Sequence, residues 1–167
     1  MAFNIKVSNS CKIVSINASQ YDSTSTQADI TLTDMDGGGS YTTVMDYNSS
    51  GIGSINVPVE NLTASYGVFI VCLSENGIEY SCNPILLHCD IDCCLVKLTN
   101  ELLDCSCDCP RCATALAKAQ KIFLLLKSAE SAVEIAGESQ STGYFEDILA
   151  KYKKAKEICD NSCGCDC

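Results

Sequence analysis

The chain has one histidine, one arginine and no tryptophan among its 167 residues. Those scarcities exclude a good deal. His88 and Arg111 stand alone, so no spare base is at hand to activate a cysteine nucleophile and little is available to hold a substrate anion. Positive charge is short as well: 11 Lys and Arg against 21 Asp and Glu leave a formal charge of −10, with acid in excess in both halves. Nucleic-acid binding needs clustered Lys and Arg for the phosphates, so that class is not expected. The longest aliphatic-aromatic run, Ile122-Phe-Leu-Leu-Leu126, is far too short to span a bilayer. Met1 to Lys6 carries neither the basic n-region nor the apolar h-region of an export signal. No phosphate-binding glycine loop or dinucleotide fingerprint occurs. The expectation is a non-enzymatic protein with no catalytic residues, no nucleic-acid partner and no membrane partner.

What the chain has in plenty is cysteine. Its 14 cysteines are a density more typical of disulfide scaffolds than of cytosolic proteins. The remaining composition, 47% hydrophobic and 19% charged, is that of a folded chain of one compact domain or two small ones. Eight of the cysteines fall in two tight groups: Cys105, Cys107, Cys109 and Cys112, then Cys159, Cys163, Cys165 and Cys167. Cysteine can serve as a small core hydrophobe, but four in one polar segment marked by Gly, Pro and Asp cannot all be buried that way. A covalent or metal staple is the physical alternative. The eight could hold one or two zinc ions in all-sulfur tetrahedra, with Cys109 and Cys112 at good ligand spacing, or form four disulfides. Disulfides are slightly preferred, because Asp108, Asp166 and the stiff Cys109-Pro110 step crowd the groups without evident donors behind them. Zinc remains the one candidate cofactor. Such cysteine content without an export signal implies metal binding in a reducing cytoplasm, or oxidation after release by another route, such as lysis of an infected cell.

Residues 1–88 read as an all-β domain of seven short strands: 3–7, 11–16, 28–33, 41–47, 52–57, 66–73 and 78–87. Separated by Gly, Asn, Asp and Ser, they favour a sandwich. Asn76-Gly77 is the strongest turn signal, since a type I′ turn needs positive φ at both positions. Continued regularly, that turn sets Val71 against Cys82 and Cys72 against Ser81, so Cys72 and Cys82 are expected on opposite faces and unbonded. Asp34-Met-Asp-Gly-Gly-Gly39 opens like a calcium loop but lacks the later oxygen ligands and the closing Glu, and reads as a glycine-rich turn. Asn17-Ala-Ser, Asn48-Ser-Ser and Asn61-Leu-Thr match glycosylation acceptors, but without an export signal they mean only Ser/Thr-rich loops.

At Asp90 the apolar period changes from two to 3.6. Ile91, Cys94, Leu95, Leu98 and Leu102 lie on one helical face with Asp90 as N-cap, and the adjacent Cys93 and Cys94 should point apart. Pro110 suits the first turn of a second helix and Gly137 its end, with Ala115, Ala119, Ile122, Leu126, Ala129 and Val133 as the buried stripe. Ser141 or Thr142 caps a third, burying Phe145, Ile148, Leu149, Tyr152, Ala155 and Cys159, with Lys151, Lys153, Lys154 and Lys156 largely on its wet side. The short connection makes these two helices an antiparallel hairpin whose tail brings the second cysteine group to the first.

Tyr66-Gly-Val-Phe-Ile-Val-Cys72 resembles the sixth strand of an immunoglobulin-like or fibronectin-like sandwich, which implies a tyrosine tethering the preceding corner. The resemblance places Cys11 and Cys72 on the two sheets that an inter-sheet bridge joins, although both also read as ordinary buried cysteines. Asp90-Ile-Asp-Cys-Cys-Leu-Val-Lys-Leu98, the Cys-x-Cys-x-Cys run, Lys118 to Lys127 and Lys151 to Cys159 resemble small cysteine-rich proteins of tailed bacteriophages. That resemblance covers mainly residues 88–167 and implies a virion or tail-associated structural protein. A protein of that kind is expected to be synthesised in the host cytoplasm, to assemble as an oligomer, and to have copies of itself and other virion proteins as partners.

The expectation is therefore an α+β chain: an immunoglobulin-like sandwich domain over 1–88, then a cysteine-stapled helical domain over 89–167. The expected function is a structural component of a phage particle. The alternatives are an intracellular zinc-binding interaction adaptor and a thiol-redox enzyme, although the Cys-x-x-Cys spacing here lacks the βαβ context of thioredoxin-type motifs.

Overall fold

The structure, a computed structural model, describes residues 3–103, 110–139 and 142–163. Seven strands come first: β1 (Asn4–Val7), β2 (Ile13–Ser19), β3 (Gln27–Asp34), β4 (Ser40–Asp46), β5 (Ile52–Pro58), β6 (Gly67–Glu75) and β7 (Ile78–Leu87). They form two antiparallel sheets, one in the order β1-β2-β5 and one in the order β4-β3-β6-β7. Three helices follow: α1 (Cys89–Leu103), α2 (Pro110–Ser139) and α3 (Phe145–Cys163). The change of apolar period at residue 90 therefore marks a real change from strand to helix.

Alternation builds the first core. Val14 and Ile16 of β2, Ile30 and Leu32 of β3, Phe69, Val71 and Leu73 of β6, and Ile85 and Leu87 of β7 form one apolar cluster between the two sheets. Each such side chain contributes about 1.5–3 kcal/mol when fully buried. The opposite face of β6 and β7 is also covered: Val68 and Leu86 join Ile91, Cys94 and Leu98 of α1, Ile122 and Leu126 of α2, and Ile148 and Tyr152 of α3. The four-stranded sheet thus carries the smaller sheet on one face and helices on the other. That explains why Gly67-Val-Phe-Ile-Val-Cys-Leu73 is apolar almost without interruption, as strands buried on both faces are.

The helical stripes fall as the spacing predicts. On α2, Ala115, Ile122, Leu126 and Ala129 are buried, Ala119 and Val133 partly so, and Ala132 and Ala136 extend the stripe. On α3, Phe145, Ile148, Tyr152, Ala155 and Cys159 are buried, with Leu149 partly buried beside them. Pro110 opens α2 as expected, but the helix runs past Gly137 to Ser139. Asp90 is not the cap of α1. The amides of Ile91 and Asp92 donate to the His88 carbonyl at 2.9 and 3.1 Å, so the helix begins earlier and Asp90 lies in its first turn. There it accepts from Tyr152 Oη at 3.0 Å and Lys156 Nζ at 3.1 Å, a tertiary use of a carboxylate that the positive helix start also favours.

The β6–β7 turn carries the main correction to the expected register. Asn76 and Gly77 do adopt positive φ, 52° and 78°, and pair Glu75 with Ile78 and Ser74 with Glu79. Next comes a β-bulge: Leu73 pairs with Ser81, leaving Tyr80 as the extra residue, and Cys72 then pairs with Cys82. The two cysteines share a face after all. Tyr66 also departs from expectation, being 45% exposed just before β6 and not tucked into the corner. The Asp34 segment is the expected glycine-rich turn, with Asp34 Oδ1 accepting from the Asp36 amide at 2.9 Å and Gly38 at φ 67°.

Candidate functional site

The chemistry-bearing groups in the described residues are chiefly cysteines. Two disulfides were not anticipated. Cys11–Cys89 joins the β1–β2 connection to the first turn of α1, with Cα atoms 6.1 Å apart, and Cys72–Cys82 crosses from β6 to β7 at a Cα separation of 4.1 Å. The bridge proposed between Cys11 and Cys72 is absent, and neither residue is a simple buried thiol. Cys11 sits at φ 49° between β1 and β2, and that turn carries its sulfur toward the strand-to-helix junction instead of across the sheets. The short Cα separation of Cys72 and Cys82 is that of residues directly opposite each other in a non-hydrogen-bonded pair.

The eight cysteines expected to staple the helices are distributed as follows. Cys105, Cys107, Cys109, Cys165 and Cys167 lie outside the described residues. Cys163 is the last residue of α3. Cys112, in the first turn of α2, is half-buried and disulfide-bonded, so in this state it has no thiolate to offer a metal. Cys159 is buried in the helical core, where Cys94 also lies. Cys93 is disulfide-bonded while its neighbour Cys94 points into that core, as adjacent helical positions require.

Cys72 Sγ, Cys82 Sγ and a Glu79 carboxylate oxygen all lie within 4.8 Å of one another, a donor set that could hold a metal ion. The two cysteines are half-buried and Glu79 is exposed, on the same face of the larger sheet that meets the helices further along at Val68 and Leu86. The bulge makes the set possible. Residues three apart in a regular strand face opposite ways, but Tyr80 is absorbed as an extra residue, so Glu79 and Cys82 point the same way. While the disulfide stands, its sulfurs carry no charge and bind no cation.

His88 occupies a second polar site at the start of α1. Its Nε2 lies 3.3 Å from Glu130 Oε1 on α2, and its Nδ1 lies 3.0 Å from Asp92 Oδ2. The second approach is close in distance but not aligned as a hydrogen bond. A cavity of about 340 Å³ beside the Cys11–Cys89 bridge is lined in part by His88, Asp92 and Glu130. The imidazole is thus held between two carboxylates and ties α1 to α2.

A third polar centre, Glu75, gave no signal in the sequence. Its carboxylate is 1% exposed yet accepts from the amides of Tyr21 at 2.9 Å and Asp22 at 2.6 Å and from the Tyr47 hydroxyl at 2.5 Å. Burial, and then the bond to Glu75, raise the Tyr47 phenol well above its ordinary value. In the helical layer, burial and the Asp90 carboxylate do the same to Tyr152. Burial works against the Lys156 ammonium, but its bond to Asp90 and the charges of Asp90 and Asp160 prevail and raise it.

Lys151, Lys153 and Lys156 pair with Asp147, Asp36 and Asp90. Such pairs at partly or fully exposed positions contribute well under about 1 kcal/mol each. Lys154 joins Lys118 and Lys121 along a groove of about 670 Å³ between α2 and α3, floored by Ala113, Ala117 and Ile158. No helix among the described residues is long and apolar enough to cross a membrane.

No protein-family model matches the chain, and no curated protein matches it. Among solved structures it is similar to the catalytic module of the multi-modular glycogen-degrading pneumococcal virulence factor SpuA in complex with an inhibitor. The identity is 9% and the TM-score 0.37, over 50% of this chain and 12% of that one. A likeness so slight carries no argument about activity.

Proposed function

We propose that the chain is a structural, non-enzymatic component of a bacteriophage particle that assembles through contacts with copies of itself and with other virion proteins. The observation that carries this reading is the apolar surface left open on the helical layer. Val96, Leu103, Leu116, Phe123 and Leu124 are all exposed, Leu103 at 78% and Leu124 at 67%. Large apolar side chains gathered in one layer favour a protein interface over free solvent. The resemblance of residues 88–167 to cysteine-rich phage proteins supplies the particle, and oxidised cysteines fit a product that meets oxidising medium after lysis.

The finer architecture belongs to the same reading. The three-plus-four strand order supports an immunoglobulin-like or fibronectin-like sandwich. The short connection between Ser139 and Phe145 supports an antiparallel α2–α3 hairpin. An intracellular zinc-binding adaptor remains the second reading, favoured by the Cys72, Glu79 and Cys82 donor set.

The test is the native mass of the oxidised full chain by analytical ultracentrifugation. A defined oligomer or filament is expected, and Leu124→Glu should weaken it by at least about tenfold, as burying an unpaired charge at an interface does. A strict monomer at every concentration would overturn the reading.

A further inference from the structure

We propose that Cys72, Cys82 and Glu79 form a redox-gated zinc site, in which the ion and the disulfide are alternative occupants of the same pair of sulfurs. Three observations converge on it. The donor atoms lie within 4.8 Å of one another, so an ion at zinc–sulfur distances of about 2.3 Å, with its ligands roughly 3.5–4 Å apart, needs only that the bonded sulfurs separate. Glu79 is already in reach. The donors are two soft thiolates and one carboxylate, a set suited to zinc more than to calcium or magnesium, which take oxygen ligands. Finally, the bulge at Tyr80 is what brings Cys82 onto the face that Cys72 and Glu79 share. A strand continued regularly from the Asn76-Gly77 turn would set Cys72 against Ser81 and turn Cys82 away. Cys72 and Cys82 are only partly buried and Glu79 is exposed, so water can serve as the fourth ligand.

The exchange balances with a small-molecule disulfide, RSSR, as oxidant. One cysteine thiolate attacks RSSR, forming a mixed disulfide and releasing RS⁻. The second thiolate attacks the protein-side sulfur of that mixed disulfide, closing the Cys72–Cys82 bond and releasing another RS⁻. Two electrons have passed to the oxidant, the two RS⁻ ions take up two protons, and the zinc ion, now without its thiolates, leaves. A thiol reductant drives the sequence backwards, and zinc then displaces two protons from the thiols. In reducing medium the hairpin is clipped by the ion, and in oxidising medium by the covalent bond, so β6 and β7 stay tied in both. The site does not depend on the assembly reading, because its donors all belong to one β-hairpin.

The experiment uses the full chain, reduced under anaerobic conditions and incubated with or without zinc chloride. Each cysteine's rate of alkylation by N-ethylmaleimide is then read by peptide mass spectrometry. Reading each thiol separately keeps the other cysteines from obscuring the result. Zinc is expected to slow labelling of Cys72 and Cys82 together by at least about tenfold. Glu79→Gln should raise the zinc concentration needed for that protection by at least about tenfold while leaving other cysteines unchanged, since even residues behind the ligands shift metal affinity by about 10–100-fold. Cys72→Ser should abolish protection at Cys82. Circular dichroism of each reduced variant, and reformation of the Cys72–Cys82 bridge in Glu79→Gln on reoxidation, show that the hairpin is intact. Equal labelling of Cys72 and Cys82 with and without zinc overturns the site, and protection indifferent to Glu79→Gln overturns the three-donor assignment.

Discussion

Glu75 shows how much one residue can carry here. A buried carboxylate is costly unless its oxygens are satisfied, and this one receives two amides from the β2–β3 connection and the Tyr47 hydroxyl. It fixes a loop more than fifty residues away in sequence to the end of β6. Glu75→Gln keeps the shape but turns an amide toward donors that need an acceptor. Charge-assisted bonds of this kind contribute about 1.5–3 kcal/mol each and do not add fully, so the variant should lose about 3 kcal/mol in urea unfolding. A loss under about 0.5 kcal/mol would mean that the carboxylate is incidental. The raised groups make a second forecast. Tyr47, Tyr152 and Lys156 all hold their protons more tightly when folded. Above their ordinary values near 10, the unfolded chain releases protons that the folded chain keeps, so stability is full below about pH 10 and falls as pH rises beyond it. Tyr152→Phe should flatten that fall, measured by unfolding at a series of pH values. An unchanged slope would remove Tyr152 from the account.

At the scale of elements, the Cys11–Cys89 and Cys72–Cys82 bridges do unequal work. Cys11–Cys89 closes a separation of 78 residues and Cys72–Cys82 one of 10. In the chain-entropy model the first should contribute about 4–5 kcal/mol and the second about 2.5–3 kcal/mol. Paired Cys→Ala variants, compared by chemical unfolding in the oxidised state, should keep that order. The reverse order would show that strain or denatured-state structure, and not loop length, governs these bridges. The short bridge also depends on the bulge. Both faces of β7 are apolar from Pro84 to Leu87, with Ile85 and Leu87 turned to the inter-sheet core and Leu86 to the helices, and the polar Ser81 and Asn83 before them are buried as well. Such a strand has no polar face to reveal its parity, so nothing in the alternation marks Tyr80 as the extra residue. Tyr80 instead stacks on Tyr21 at 5.2 Å, a contact from a distant loop that supports the bulged form.

For the whole molecule, the four-stranded sheet is the organising layer. It is sealed on one face by the smaller sheet, and the helices cover part of the other, around Val68, Ile70 and Leu86. Cys11–Cys89 ties the first β connection to the start of the helical layer, so the two layers are joined covalently as well as by packing. The outer faces of α1 and α2 keep their large apolar side chains exposed, and assembly in solution is expected to cover them.

All seven strands, the three helices, the positive-φ turn at Asn76-Gly77 and most of the buried helical positions could be read from residue order alone. Each is set by a period, a cap or a backbone preference acting within a few residues. The partners of Cys11, Cys72, Cys82 and Cys89, the use of Asp90 by Tyr152 and Lys156, and the burial of Glu75 were decided only by the tertiary structure. The reason is physical. A cysteine or carboxylate has no periodic signature of its own, so its partner is whatever the packed layers bring within a few ångströms. In the β6–β7 hairpin one extra residue changed which partner that was.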